Sequence, residues 1–142
     1  MDAAQIKAKL DSVHHLENQA PVLEEAVNAM EDIDAATTAA LVPAVLALFE
    51  RCGHEDDFGM FSSLRGDFER VADDAASRAA VQASVRRAPS WPTLQLLPSF
   101  STPAETRAIL TQVLADGSFK DPRYSREWLE ARLEELSAAE PN

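Results

Sequence analysis

The chain has 142 residues, of which 46% are apolar and 26% are charged, which is enough for one compact domain with a hydrophobic core. It has four glycines, abundant alanine and one cysteine, so helix is favoured over sheet and an internal disulfide is excluded. No run of about 18 apolar residues or signal-peptide layout is present, so we expect a cytoplasmic protein without a membrane-spanning segment.

The formal net charge of −11 comes entirely from the first half of the sequence. Residues 1–75 hold 16 acidic and 5 basic residues, whereas residues 76–142 hold eight of each. Such a charge repels nucleic acid and anionic membranes and attracts basic partners. Acidity that serves only solubility is the simpler interpretation, and it stays open at this point.

The spacing of apolar residues is helical from the N-terminus onward. It predicts a first helix over residues 3–16 and a second over 21–31, with Pro21 in the first turn of the second helix. Asp34 is placed to cap a third helix. Pro43 lies inside that helix and predicts a kink or a short break near residue 40.

Turn and capping residues mark the helices that follow. A fourth helix is expected after Gly59, and a fifth with Ser77 as its N-cap. Residues 92–100 predict a short sixth helix that Pro98 ends early. The sequence "STPAE" predicts the start of a seventh helix, with Thr102 as the N-cap, proline at the first position and glutamate at the third.

The last helix is expected to open at Asp121 and Pro122, and residues 136–142 are expected to fray. No segment alternates between apolar and polar residues as a half-buried strand does. The sequence therefore predicts an all-α protein with a single helical domain over residues 1–142. About eight short helices would pack as antiparallel hairpins, either in a HEAT-like α-solenoid or in an irregular bundle.

The segment "GHEDDFGM", residues 53–60, has the letters of a catalytic or metal-binding loop. Its D-F-G lacks the glycine-rich loop, strand lysine and H-R-D sequence of a kinase. The histidines lack helical metal-ligand spacing, and the acids lack the pattern of a calcium loop. Cys52 lies near His54 in sequence, but no nucleophile motif accompanies the pair. We therefore expect no catalytic site, no metal and no cofactor.

Two longer segments carry a family pattern, "LVPAVLALFERCGHEDDFGMFSSLRGDFE" at residues 41–69 and "SVRRAPSWPTLQLLPSFSTPAETRAILTQVLAD" at 84–116. An apolar helix ends in Phe-Glu, an acidic turn with Asp-Phe-Gly follows, and an Arg-x-Pro turn precedes a short apolar helix. The matching residues are Leu48, Phe49, Glu50, Asp56, Asp57, Phe58, Gly59, Phe68, Glu69, Arg87 and Pro89. In these features the chain resembles small helical immunity proteins of bacterial polymorphic-toxin and contact-dependent growth inhibition systems.

The resemblance implies a non-enzymatic antidote that binds a cognate toxin domain and occludes its active site. Toxin domains of this kind are commonly nucleases with basic grooves, which suits the acidic first half. The residues expected to bind the partner are Glu31, Asp32, Asp34, Glu55, Asp56, Asp57, Asp67, Glu69, Asp73 and Asp74. Phe58 or Phe61 is either an apolar anchor for that partner or part of the core.

Two other classes of function stay open from the sequence. A helical adaptor that binds a host protein would present an exposed apolar groove. A small enzyme would present a concave pocket with convergent acids of perturbed pKa.

Overall fold

The computed structural model describes residues 1–55, 59–117 and 125–139, and within these ranges it contains helices and no strand. The all-α prediction is confirmed. The helices are α1 (Ala3–Ser12), α2 (Leu16–Met30), α3 (Ala35–Cys52), α4 (Met60–Phe68), α5 (Ala75–Arg87), α6 (Trp91–Leu96), α7 (Pro103–Asp116) and α8 (Arg126–Ala139). Two 3₁₀ turns, Glu69–Val71 and Leu97–Phe100, extend α4 and α6.

The helices form two rows. Helices α1, α3, α5 and α7 contact one another in succession, and so do α2, α4 and α6. Contacts between α1 and α2, α3 and α4, α5 and α6, and α7 and α8 join the two rows. Successive helical hairpins are therefore stacked side by side, and α3 occupies the middle of the stack.

The predicted boundary between the first two helices is wrong. α1 ends at Ser12 rather than residue 16, and α2 begins at Leu16, so Pro21 lies in its second turn. Leu16 is fully buried, and its backbone N–H donates to the Glu55 carboxylate over 2.9 Å. The side-chain oxygen of Gln19 accepts hydrogen bonds from the backbone N–H groups of His14 and His15, which stabilises the turn. These contacts fix the helix start before the proline.

The break expected near residue 40 does not occur, because α3 runs without interruption through Pro43. The proline ring is exposed, whereas Val42 and Ala44 on either side are buried. Packing of this helix on four neighbours outweighs the one backbone hydrogen bond that proline removes.

The later helix starts are close to those predicted. Gly59 precedes α4 with φ 84°, and Thr102 forms the expected capping box of α7. The cap of α5 differs, because Asp74 is the N-cap and the Ser77 N–H donates to its carboxylate over 2.9 Å. Pro98 falls in the 3₁₀ turn after α6, as expected.

The C-terminal helix also differs from the prediction. α8 continues to Ala139 rather than fraying from residue 136, and Leu136 packs against the core. Asp121 and Pro122, predicted to open it, lie outside the described residues.

Two hydrophobic clusters make up the core. The larger one joins α1 to α6 and contains two edge-to-face aromatic pairs, Phe49 with Phe61 and Phe68 with Phe100, whose ring centroids are 4.9 and 6.4 Å apart. The smaller cluster joins α5, α6, α7 and α8 around Leu97, Ile109 and Leu129. Phe61 is 2% exposed, so of the two interpretations of this residue the core one is confirmed.

The core helix α3 is the one described helix long and apolar enough by composition to cross a membrane. Half of that helix is buried against the rest of the fold, and the core helix of a soluble protein passes the same test. This finding is weak evidence for a membrane span.

Gly53 is a point of close contact between α3 and the start of α6. A Cβ placed there would lie 2.8 Å from the Cβ of buried Ser90 and would clash with the carbonyl oxygen of Phe49. We expect Gly53→Ala to lower the free energy of unfolding by about 1–3 kcal/mol, because the overlap is with backbone and with a buried side chain. Urea denaturation would measure it. Gly66→Ala is the matched control, since a Cβ at Gly66 meets no atom within 4 Å and alanine favours helix.

Candidate functional site

The basic residues of the acidic half are all engaged within the fold. Their partners are Asp11 for Lys7, Glu25 for Lys9, the Leu10 and Val13 carbonyls for Arg51, Ser62 for Arg65, and Asp67 for Arg70. Among the described residues of this half, five exposed acids have no side-chain hydrogen bond or ion pair, namely Glu17, Glu24, Glu31, Asp32 and Asp73. The negative charge therefore points outward and stays uncompensated.

Two of these acids lie on one side of α2, and Glu31, the C-cap of that helix with helical backbone angles, continues their line. Glu17, Glu24 and Glu31 are seven residues apart, which places them within about 40° of one another around the helix and about 21 Å from end to end. All three are exposed. Glu17, Glu24 and Glu31, together with the adjacent exposed Asp32, are termed the acidic stripe. The residues predicted to bind a partner were mostly acids in and near loops, so the prediction missed Glu17 and Glu24. Their seven-residue spacing is nevertheless present in the sequence.

The two predicted acidic turns lie at opposite ends of this stripe. Glu55 contacts the first residue of α2, whereas the turn that contains Glu31 and Asp32 follows the last. A helix of this length separates the two ends by about 22 Å. The acidic turns therefore do not meet directly, and the acidic stripe is the described feature that connects them. Glu55 is half-buried and its carboxylate is occupied at the start of α2, which differs from the partner-binding role that the sequence suggested.

Asp67 is an internal acid rather than a surface acid. It is 8% exposed, and one carboxylate oxygen accepts from Arg70 over 2.9 Å. The other oxygen, Oδ2, is buried without a hydrogen-bond partner. Arg70 also donates to the carbonyls of Met30 and Ile33. The pair thus holds the α2–α3 turn against the end of α4, and Asp67 cannot act as the surface charge that the sequence suggested.

Two further predicted acids cap helices while staying exposed. The carboxylate of Asp34 accepts from the Thr37 N–H at the start of α3, and that of Asp74 accepts from Ser77 at the start of α5. These hydrogen bonds lower the pKa of both carboxyl groups. Both remain charged and available to solvent at neutral pH.

The remaining predicted acids differ in their surroundings. Glu69 is exposed and accepts from the Ser99 hydroxyl over 3.3 Å, and Asp73 is exposed three residues beyond Arg70. Asp56, Asp57 and Phe58, the centre of the predicted recognition turn, lie outside the described residues. Phe61 is buried and unable to serve as an apolar anchor for a partner.

A groove of about 410 Å³ opens between α2 and α4 beside the acidic stripe. Glu24 and Glu31 line it from α2, with Val27 between them, and Met60 and Ser63 line it from α4. Val27 is 5% exposed and Met60 half-buried, so the groove has an apolar floor below a carboxylate rim.

A second groove, of about 240 Å³, lies between α6, α7 and α8. Its lining is mainly apolar, with Leu97, Leu110, Trp128 and Leu136 prominent, and includes the charged residues Arg132 and Glu135. Trp128 packs on Trp91 with ring centroids 5.5 Å apart, and the Arg132 guanidinium lies over the Trp128 ring. This surface is distinct from the acidic stripe in both charge and position.

Residues that carry the family resemblance are largely structural. Leu48, Phe49 and Phe68 are fully buried. Glu50 and Arg87 form a two-bonded ion pair, each bond 2.8 Å long, that joins α3 to α5. These bonds raise the pKa of the Arg87 guanidinium. The buried and ion-paired residues of the motif therefore stabilise the fold.

Within the described ranges, no group of three or more histidine, cysteine or acidic side chains is arranged to hold a metal ion. Cys52 is fully buried, and its thiol lies 3.4 Å from the carbonyl oxygen of His14. Burial raises the pKa of this thiol to about 11, and the nearby Glu55 carboxylate adds to the shift.

We expect native Cys52 to react with a thiol reagent at pH 8 about 100-fold or more slowly than in the urea-unfolded chain. Burial excludes the reagent, and the raised pKa leaves almost no thiolate. Absorbance of the released thiol-specific chromophore would follow both reactions. A native rate within a few fold of the unfolded rate would contradict the buried position.

The stability contributed by Asp67 is expected to fall as the pH rises. Burial is the main cause that raises the pKa of this carboxyl group, Arg70 opposes it, and Glu31 adds to it. The folded protein therefore binds more protons than the unfolded chain between the ordinary pKa of about 3.9 and the raised one. Relative to Asp67→Asn, the wild type should lose stability as the pH rises through that window. Urea titrations at several pH values would measure this, and a wild-type advantage that grows with pH would contradict it.

No family model, curated protein sequence or solved structure matches this chain.

Proposed function

We propose that the chain is an immunity protein that binds and neutralises a cognate bacterial toxin domain in the cytoplasm. The observation that supports this most is the acidic stripe, a line of exposed and uncompensated carboxylates on a fold whose nearby cations are engaged internally. A surface of this kind attracts a basic protein and competes with the phosphates of a nucleic acid for a nuclease groove.

The proposal treats the protein as an inhibitor rather than a catalyst. The described acids cap helices, pair with basic residues or stand exposed on the surface, and within the described ranges no three of them converge as a metal-holding group would. An extended carboxylate surface is suited to covering a partner, whereas acid–base catalysis needs groups directed at one reacting atom. The partner is accordingly a protein and not a small substrate, nucleic acid or membrane.

Growth rescue tests this function. A candidate toxin domain from the gene immediately upstream would be expressed alone and together with this chain, and complex formation would be followed by size-exclusion chromatography. We expect toxicity without the chain, growth with it, and a stable complex of the two proteins. A toxic domain that neither binds this chain nor is neutralised by it would contradict the proposal.

The apolar groove between α6, α7 and α8 supports a second candidate, a helical adaptor that binds an amphipathic helix of a host protein. In that case Leu136→Ser, at a half-buried groove position, abolishes partner binding, while Glu24→Gln with Glu31→Gln has no effect. The toxin proposal predicts the reverse ranking of these two variants. A binding assay with the same partner and both variants therefore distinguishes the candidates.

A further inference from the structure

The groove between α2 and α4 combines the two properties that a long cationic side chain requires. Its floor includes Val27 and the side chain of Met60, which can cover the aliphatic part of a lysine or arginine. Its rim carries Glu24 and Glu31, both exposed and both without a side-chain partner in the described ranges. An entering cation therefore meets carboxylates that need not break an existing ion pair.

An ion pair inside the fold lies close to one end of the groove. Asp67 lies one turn beyond Ser63 on α4, and its Oδ2 atom is buried without a hydrogen-bond partner. Its carboxylate is within electrostatic reach of Glu31. Arg70 compensates one oxygen of Asp67 and is itself shared with backbone carbonyls. Asp67 is therefore held within the fold by Arg70, and the exposed carboxylates of Glu24 and Glu31 are the negative charges that an entering cation meets.

The spacing of the rim specifies the occupant further. Glu24 and Glu31 are seven residues apart on α2, which separates them by about 10.5 Å. A partner helix offers the same separation when two of its basic residues are also seven apart. A residue midway between them points to the same side and would lie over Val27. The groove is too small for a whole helix but has room for side chains from one.

We propose that this groove receives one face of a basic amphipathic helix of the partner, with two lysine or arginine side chains about 10 Å apart on Glu24 and Glu31 and an apolar side chain between them. The inference rests on the proposed function and names the part of the surface that the partner contacts. The rest of the acidic stripe then contributes long-range attraction, and this groove supplies the contacts that fix the orientation.

The test uses the complete chain and synthetic peptides. The probe is a fluorescent alanine-rich helical peptide about five turns long, with two arginines seven residues apart and a leucine midway. A control peptide of identical composition has its arginines five residues apart, which places them on opposite sides of the helix. Fluorescence anisotropy at low salt would give the dissociation constants.

Two protein variants lose the same charge at different places. Glu24→Gln with Glu31→Gln changes the groove, whereas Glu130→Gln with Glu134→Gln changes two exposed acids of α8. We expect the groove variant to weaken probe binding about fivefold or more and the α8 variant less than about twofold. We also expect wild type to bind the control peptide less tightly than the probe. Equal weakening by both variants, or equal binding of both peptides, would overturn the inference.

The result separates this inference from the proposed function. If wild type neutralises the toxin but the groove variant binds the toxin with unchanged affinity, the groove is not the contact and the immunity function stands. If no toxin domain binds wild type, the function fails, and the peptide measurements alone decide whether the groove recognises a basic helix.

Discussion

Replacing Arg70 with alanine is expected to lower the free energy of unfolding by about 2–4 kcal/mol, one of the largest single-residue effects in the chain. The change removes donors to the carbonyls of Met30 and Ile33 and leaves both oxygens of the buried Asp67 carboxylate unpartnered. The estimate is below that for a fully buried pair because the Arg70 side chain is 31% exposed and water reaches part of it. Urea denaturation at pH 7 would measure the effect.

A double-mutant cycle distinguishes the buried charge from the lost loop contacts. Asp67→Asn in the Arg70→Ala background should recover part of the stability, since it removes the charge that has lost its partner. Arg70→Lys should be intermediate, because a lysine can pair with Asp67 but cannot also reach several carbonyls in the geometry of a guanidinium. A double variant no more stable than Arg70→Ala alone would show that the carbonyl contacts carry the whole effect.

Arg70 also illustrates where sequence reasoning fails in this protein. The helices were predictable from the sequence because the spacing of apolar residues is a local property. The capping box at Thr102 was predictable for the same reason. The burial of Asp67 was not predictable from the sequence. It depends on Arg70 reaching from the end of α4 to a turn about 40 residues earlier in the sequence, and no local pattern records such a contact. The sequence therefore assigned to the surface an acid that the fold uses internally.

The start of α2 was missed for the same physical reason. Local rules place Pro21 in a first turn, but the helix begins at Leu16 because Glu55 accepts from its backbone N–H across 39 positions of sequence. Propensity is a weak preference that a buried contact overrides. The sequence predicted Glu55 as a partner-binding residue, whereas the structure shows that it caps α2. This contact depends on the packing of α2 against the end of α3, which local sequence does not reveal.

The sequence predicted that the protein has a negatively charged surface, but not how the acidic residues are arranged on it. Counting charges located it in the first half, and the seven-residue spacing of Glu17, Glu24 and Glu31 was present in the sequence. Its significance depends on two structural facts, namely that α2 presents this side to solvent and that α4 packs beside it to form a groove. The candidate recognition surface is consequently centred on a helix rather than on the acidic turns.

Neutralising three exposed acids of the first half is expected to slow association with the proposed toxin domain about tenfold at low salt. The variant combines Glu31→Gln, Asp32→Asn and Asp73→Asn, all exposed and all without a side-chain partner in the described ranges. Asp67 is left unchanged because its loss would alter stability instead of surface charge. The effect should fall mainly on the association rate constant, since steering acts before contact, and it should shrink as salt screens the charges.

A matched variant on α8 separates a local surface from net charge. Glu127→Gln, Glu130→Gln and Glu134→Gln remove the same three charges from exposed positions in the neutral half of the chain. Stopped-flow measurements over a range of salt concentrations should show a slower rate and a smaller salt dependence for the first variant, and a near wild-type rate for the α8 variant. If both variants slow association equally, the attraction arises from net charge alone. If neither does, Glu31, Asp32 and Asp73 do not face the toxin during encounter, and the electrostatic basis of the proposed function is wrong.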